Sequence, residues 1–247
     1  STRMKSALPK AVHPVCGKPM TRHVIDACLD AGIREIVVVI GHGADEVRPA
    51  LGDEVVYAHQ TEQLGTGHAC MQALPQVSDN ATDVLVLPGD TPLITADDIS
   101  KLVQSHAAEG NVCTLLTAML DDASHYGRVI RDAQEAVLKV LEAKDADKEA
   151  LAIREINTSI YCFDKRALAE NLSLVKTDNV QKEYYLTDVI ELLSSSDNRV
   201  GAVVADDPAD TLGINNRAEL AAASDIMRRR SLFELRGCIR AVLRVKP

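Results

Sequence analysis

The sequence predicts an α/β protein built on a mainly parallel sheet, and three observations predict it. Short β-branched runs alternate with segments of helical apolar spacing, the alternation from which βαβ units are made. The run EIVVVI at 35–40 is apolar at every position after its first, as a strand covered on both faces requires. The composition supplies an aliphatic core, with 46% hydrophobic residues, 3% aromatics and no Trp.

Taken in order, residues 19–31 place Met20, Val24, Ile25, Ala27, Cys28 and Leu29 at helical spacing, with Gly32 where a C-cap glycine belongs. The strand at 35–40 closes on Gly41-His42-Gly43, read as a tight strand-to-helix turn. A short helix follows at 44–51, a strand at 54–59, a helix at 65–74 and a strand at 83–87 that breaks at Pro88-Gly89. Thr95 with Asp98 three residues on starts a helix running to about residue 108, and 112–120 is the next strand. The pattern then changes. Residues 127–131 and 136–141 read as strands joined by a polar turn, and 153–163 as another, so antiparallel structure is inserted here. Short helices at 167–174 and 185–193, a strand at 200–205 and a long charged helix from 216 to about 235 complete the order. The tail from Gly237 is ambiguous.

The 27 Lys and Arg against 36 Asp and Glu give a formal net charge of -9, which disfavours nucleic acid and anionic membranes as partners. No apolar stretch reaches the ~20 residues that span a bilayer, and the N-terminus lacks the apolar core of a signal peptide. The six cysteines form no C-x-x-C pair, and several lie in apolar runs. They are expected to be buried free thiols of a cytoplasmic protein without a zinc site. No histidine spacing or nucleophile-base arrangement suggests metal hydrolysis or acyl transfer, so chemistry without a protein nucleophile fits better.

Asp90 follows an apolar strand in Pro88-Gly89-Asp90-Thr91-Pro92, the carboxyl edge where parallel sheets bind ligands. A carboxylate there suits Mg²⁺, which takes one or two carboxylates plus substrate phosphate oxygens, and it equally suits a turn cap. The stretch from Gln60 to Gly67 leaves a strand and opens a helix. Its glycines admit a ligand close to the backbone, and its glutamines favour a polar ring. Arg3, Lys5 and Lys10 place cations at the chain start, suited to a polyphosphate or to a solvated tail. Glu142, Asn157 and Asn215 are polar groups at element ends, suited to sugar hydroxyls or to ordinary surface.

In order along the chain stand Thr2-Arg3-Met4, Leu8-Pro9-Lys10, Gly17-Lys18-Pro19-Met20, Gln60 to Gly67, Gly89-Asp90-Thr91-Pro92-Leu93, Tyr126-Gly127-Arg128 and Glu142-Ala143-Lys144-Asp145. Glu155-Ile156-Asn157-Thr158, Glu183-Tyr184-Tyr185-Leu186-Thr187-Asp188 and Gly213-Ile214-Asn215-Asn216-Arg217 follow. This series resembles the uridyltransferase half of the bacterial bifunctional N-acetylglucosamine-1-phosphate uridyltransferase/glucosamine-1-phosphate acetyltransferase family, over nearly the whole chain. The resemblance implies a Rossmann-like nucleotide-diphospho-sugar transferase fold: a mixed, mainly parallel sheet with a small antiparallel sugar-binding lobe. It implies a nucleotidyltransferase over 1–214 and a linker arm over 215–247. The implied reaction joins UTP and N-acetylglucosamine 1-phosphate into UDP-N-acetylglucosamine and pyrophosphate, with Mg²⁺. By motif, Arg3 and Lys10 would hold the triphosphate, and Gln60, Gly65 and Thr66 would read the uracil. Asp90 and Asn215 would bind Mg²⁺, and Gly127, Glu142 and Asn157 would contact the amino sugar.

Two departures from the family pattern stand out. The family opens with a strand and a loop L-A-A-G-x-G-T-R-M, and this sequence starts in the last part of that loop, with Ser1 where glycine is usual. A polypeptide that starts there is expected to lack a strand of the central sheet and to put UTP binding in doubt; with those residues ahead of Ser1, nothing is lost. The family also continues into hexapeptide repeats with acetyltransferase activity, through which it trimerises. No such repeat is present, so only uridyl transfer is expected and the oligomeric state is left open. Motif order specifies the fold more tightly than the substrate. Another sugar phosphate or base, or a non-catalytic binding module, are the rival readings.

Overall fold

The computed structural model describes residues 4–123, 125–196 and 198–243, with side chains described to residue 232. A hairpin of β1 (Pro14–Val15) and β2 (Lys18–Pro19) leads into α1 (Met20–Asp30). Cys16 and Gly17 at its tip have φ of 50° and 85°, the paired positive values of a two-residue hairpin turn. Then come β3 (Val37–Ile40), α2 (Ala44–Leu51), β4 (Val56–His59), α3 (Thr66–Ala73) and β5 (Asp83–Val86). The helix α4 (Ala96–Glu109) starts on the expected Thr95/Asp98 capping box and precedes β6 (Cys113–Met119). The inserted region is β7 (Arg128–Arg131), β8 (Val137–Leu141) and the single turn α5 (Lys148–Leu151). The chain closes with β9 (Glu155–Asp164), α6 (Lys165–Leu172), α7 (Thr187–Ser194), β10 (Val200–Val204) and α8 (Arg217–Leu243).

The main sheet is mixed. β10 pairs β6 in parallel, and β9 runs antiparallel between β6 and β5, so β5, β6 and β10 share one direction with β9 reversed among them. The sequence reading placed 153–163 with the antiparallel insertion. Its ten-residue strand does that and more, because one edge of β9 serves two partners. Ile156 near its start pairs Arg128 of β7, while 161–164 pair the whole of β5. The carboxyl end of β5 therefore points along β9 at the β7–β8 lobe.

Alternate residues of these strands bury opposite faces. Leu115, Tyr161 and Phe163 pack with Leu168 of α6 and Val189 and Ile190 of α7, whereas Leu116, Ile160 and Cys162 pack with Val24 of α1 and Ile99 and Leu102 of α4. The expectation of a doubly covered strand at 35–40 does not hold. Val37 to Val39 are only half-buried, because β3 pairs β4 alone, in parallel, as a separate two-stranded sheet among the described residues. Four cysteines are buried as expected, while Cys16 is exposed at the hairpin tip. The last helix outruns its expected end near 235 and takes in the ambiguous tail to Leu243. Its first turns place Leu220, Ala223, Ile226 and Met227 against Val15, Met20 and Leu93.

Candidate active site at the carboxyl end of β5

The candidate residues fall into three groups. The first is a cation cluster. The Pro88-Gly89-Asp90 turn is pinned to α1 by the Thr21 hydroxyl, which donates to the Gly89 carbonyl at 2.7 Å, and closed by Thr91 donating to Pro88 at 3.0 Å. The Ile214 N–H donates to the Asp90 carbonyl at 2.9 Å, which brings Asn215 alongside. The Asn215 amide is oriented, because its Nδ2 donates to the Gly213 carbonyl at 3.2 Å and leaves Oδ1 facing the cluster. Lys10 Nζ sits between the two, in an ion pair with Asp90 and donating to Asn215 Oδ1 at 2.8 Å. One carboxylate and one carbonyl thus converge on a single positive charge.

That geometry suits Mg²⁺: the ammonium stands in for a small cation at a point shared by Asp90 and Asn215. Two oxygen ligands leave the remaining positions to phosphate oxygens and water, the usual arrangement for this ion. Among the described residues no group of three or more His, Cys, Asp or Glu is arranged for a metal. Arg3 lies outside the described residues. The segment just after it is tied to α8, since Arg217 donates to the carbonyls of Met4 at 3.0 Å and Lys5 at 3.1 Å.

The second group is the lobe. Gly127 is buried directly beside Asn157, whose N–H donates to the Gly127 carbonyl at 2.9 Å. A Cβ on Gly127 would come within 3.0 Å of Val140. The register between β6 and β9 slips at Leu116/Thr117, and Ser159 takes a φ of 63° there. This bulge lets both ends of the buried Asn157 amide be held: Nδ2 donates to the Tyr161 hydroxyl at 2.7 Å, and Oδ1 accepts from the Ser159 N–H at 3.2 Å. Tyr126 stands half-buried beside Gly127, near the Gly213 backbone.

The third group is the loop after β4. Gln60 is buried, and its Nε2 lies 3.2 Å from the Gly65 carbonyl and 3.0 Å from His68 Nδ1. The loop is clamped by the 183–187 segment: Tyr184 N–H donates to Leu64 and Gly67 N–H to Tyr184, each at 2.8 Å, and Leu186 N–H donates to the Thr66 hydroxyl at 3.0 Å. Thr66 is thus partly committed to the fold. One residue on, Thr187 donates to Glu142 at 3.2 Å. Burial pushes the Glu142 carboxyl above its ordinary range, Asp145 and Asp188 push it further, and the Thr187 hydrogen bond opposes them. Segment 183–187 therefore links the expected base-reading loop to the expected sugar-reading carboxylate.

Sequence reasoning missed His68, Thr187, Tyr161 and Tyr126. Three of their contacts join residues four to 45 positions apart, in loops or across a bulge, where no periodicity announces them. Two shallow clefts elsewhere, lined by His13, Arg217 and Ser224 and by Asp26, Thr95 and Arg230, include none of the candidate residues.

The fold and this strand-end cluster define a nucleotidyltransferase: residues 4–222 match the family model described as nucleotidyl transferase, and the chain belongs to that family. Over 93% of its length the chain is 49% identical to the bifunctional protein GlmU of Geobacillus sp. and 48% identical to that of Brevibacillus brevis. In each case it covers 50% of the relative, so the chain spans about half the length of the curated relatives it matches. A crystal structure of HddC from Yersinia pseudotuberculosis superposes with a TM-score of 0.67 at 18% identity, covering 92% of this chain and 93% of that one, a likeness of fold. No helix among the described residues is long and apolar enough to cross a membrane.

Proposed function

We propose that the chain transfers a uridylyl group from UTP to N-acetylglucosamine 1-phosphate, releasing pyrophosphate, as a cytoplasmic enzyme. The observation that carries this reading is the convergence of Lys10, Asp90 and Asn215 at the end of β5, which points at the lobe bearing Gly127 and Asn157. The relatives named GlmU and the nucleotidyl transferase family model support nucleotidyl transfer to a sugar 1-phosphate, and the motif series supplies the choice of sugar and nucleotide.

The sugar phosphate is itself the nucleophile. One of its phosphate oxygens attacks the α-phosphorus of UTP in line with the bond to the β-phosphate, which breaks and leaves with its electron pair as pyrophosphate. The protein's work is alignment and charge. Gln60, Gly65 and Thr66 hold the base. Gly127, Asn157 and Glu142 hold the amino sugar. Arg3 and Lys10 neutralise the triphosphate. Bound between Asp90 and Asn215, Mg²⁺ would supply charge stabilisation at phosphoryl oxygens. Lys10, paired here with Asp90 and Asn215, would be free to turn to the phosphates with the metal in that place.

The test mixes the protein with Mg²⁺, each of the four nucleoside triphosphates and a set of sugar 1-phosphates, and follows pyrophosphate release. UTP with N-acetylglucosamine 1-phosphate should be used far better than any other pair. A preference for glucose 1-phosphate moves the assignment to another sugar. No pyrophosphate from any pair makes the chain a binding module.

A further inference from the structure

His68 decides which face Gln60 shows. The Gly65 carbonyl can only accept, so the Gln60 group 3.2 Å from it is the NH₂. The same nitrogen lies 3.0 Å from His68 Nδ1, so it donates there too, and Nδ1 must be the unprotonated ring nitrogen. The ring proton then sits on Nε2, where Gln72 Nε2 lies 3.3 Å away, one turn along α3; the Gln72 amide must turn over to bring its oxygen inward and accept that proton. Both hydrogens of the Gln60 amide are thereby spent on the protein. Its carbonyl oxygen has no partner among the described residues, and it is the group left to meet a ligand.

We propose that His68 is a positioning residue that holds Gln60 as a pure hydrogen-bond acceptor, so that the site selects a pyrimidine with a ring N–H. The inference rests on the reading that Gln60 faces the nucleotide base. Uracil presents an N–H at N3, which a fixed carbonyl oxygen accepts. Cytosine presents a lone pair at that position, and the oxygen repels it. A Gln60 free to turn over would offer an NH₂ to cytosine instead, and discrimination would fall. A buried acceptor left facing an acceptor is the kind of mismatch that yields large selectivity.

Calorimetric titration of the protein with UTP and with CTP, in Mg²⁺, reads the base preference without any sugar phosphate. In His68→Ala the ratio of UTP to CTP affinity should fall about tenfold, the worth of one oriented hydrogen bond. His68→Asn, whose side-chain oxygen falls near the place of Nδ1, should keep the ratio within about threefold, whereas His68→Gln, which mimics Nε2, should not. A merely structural role for His68 would not sort Asn from Gln in this way. Gln60→Ala separates the two layers of the argument. If it leaves the ratio unchanged, Gln60 does not read the base and the inference falls with that reading. If it abolishes the preference while His68→Ala leaves it intact, base reading stands and the positioning role is overturned. Thermal melting of each variant identifies one that has lost its fold, and His68→Asn against wild type then decides.

Discussion

At the scale of single residues, Asp90, Asn215 and Lys10 form a set whose members should respond differently to the same probe. Asp90→Asn keeps the shape of the turn and removes the one anionic oxygen donor. Turnover should fall roughly a hundredfold or more, since a metal contributes several kcal/mol at a phosphoryl oxygen, and Mn²⁺ affinity, read by its paramagnetic signal, should fall with it. Lys10→Met should move the two readouts apart. It vacates the position between Asp90 and Asn215, so Mn²⁺ should bind more tightly without nucleotide, while turnover drops because the triphosphate loses a cation. Full activity in Asp90→Asn, or weaker Mn²⁺ binding in Lys10→Met, would contradict the assignment. Asn157 makes a second residue-scale case. Both ends of its amide are held by Tyr161 and Ser159, so Asn157→Ala should raise the KM for the sugar phosphate by about tenfold, one hydrogen bond's worth. UTP affinity by calorimetry should stay put. Equal losses of both would show that the lobe and the base loop do not work separately.

Elements differ in how much of them can be read ahead of the structure, and the reason is the range of the forces that make them. The helix α4 is legible because its capping box, Thr95 with Asp98, is a contact three residues long. The strand β5 and the Asp at its end are legible for the same reason: an apolar run stops at Pro-Gly. The insertion of β9 between β5 and β6 is not legible, because nothing within the strand records which strands it will pair. The site shows the same division. Asp90, Gln60 and Asn215 stand in turns with local signatures, whereas the clamp on the base loop comes from residues 183–187, over a hundred positions away. That clamp yields an element-scale prediction at Gly65, whose φ is 109° and where a Cβ would lie 2.6 Å from the Tyr184 carbonyl oxygen. Gly65→Ala should cost about 1–3 kcal/mol for the backbone conformation alone, lowering the melting temperature by roughly 2–12 °C, and should raise the KM for UTP as the loop backs away from segment 183–187. A variant with native melting and native KM would show that the loop has room to spare.

Across the whole molecule, stability should carry a pH signature from the acidic face where α7 meets the lobe. Asp188 in the first turn of α7 is half-buried, and its carboxyl is pushed up to about 6, first by burial and then by the charges of Glu191 and Asp145. Glu142, next to it through Thr187, is raised for similar reasons. A carboxyl raised in the folded state holds its proton more tightly there than in the unfolded chain, where its ordinary value is 3.8. Between those two values the native state binds more protons than the unfolded one, so stability falls as pH rises through that window and stays reduced above it. The usual paired carboxylate has the opposite sign, and this molecule has those as well: Glu155, held by two hydrogen bonds from Arg131, is lowered, and it stabilises at high pH and loses that contribution on acidification. The two trends are separated by substitution. Asp188→Asn removes the charge that is unwelcome at neutral pH and changes little where Asp188 is already protonated. Its melting temperature should therefore exceed that of the wild type at pH 7.5, and the difference should shrink as pH falls from about 6 and reach zero only below 3.8. A difference that is constant across the range would mean that the gain is packing or helix propensity. A loss at pH 7.5 would mean that the carboxylate is stabilised at the N-terminus of α7, with the helix dipole outweighing burial and the neighbouring charges.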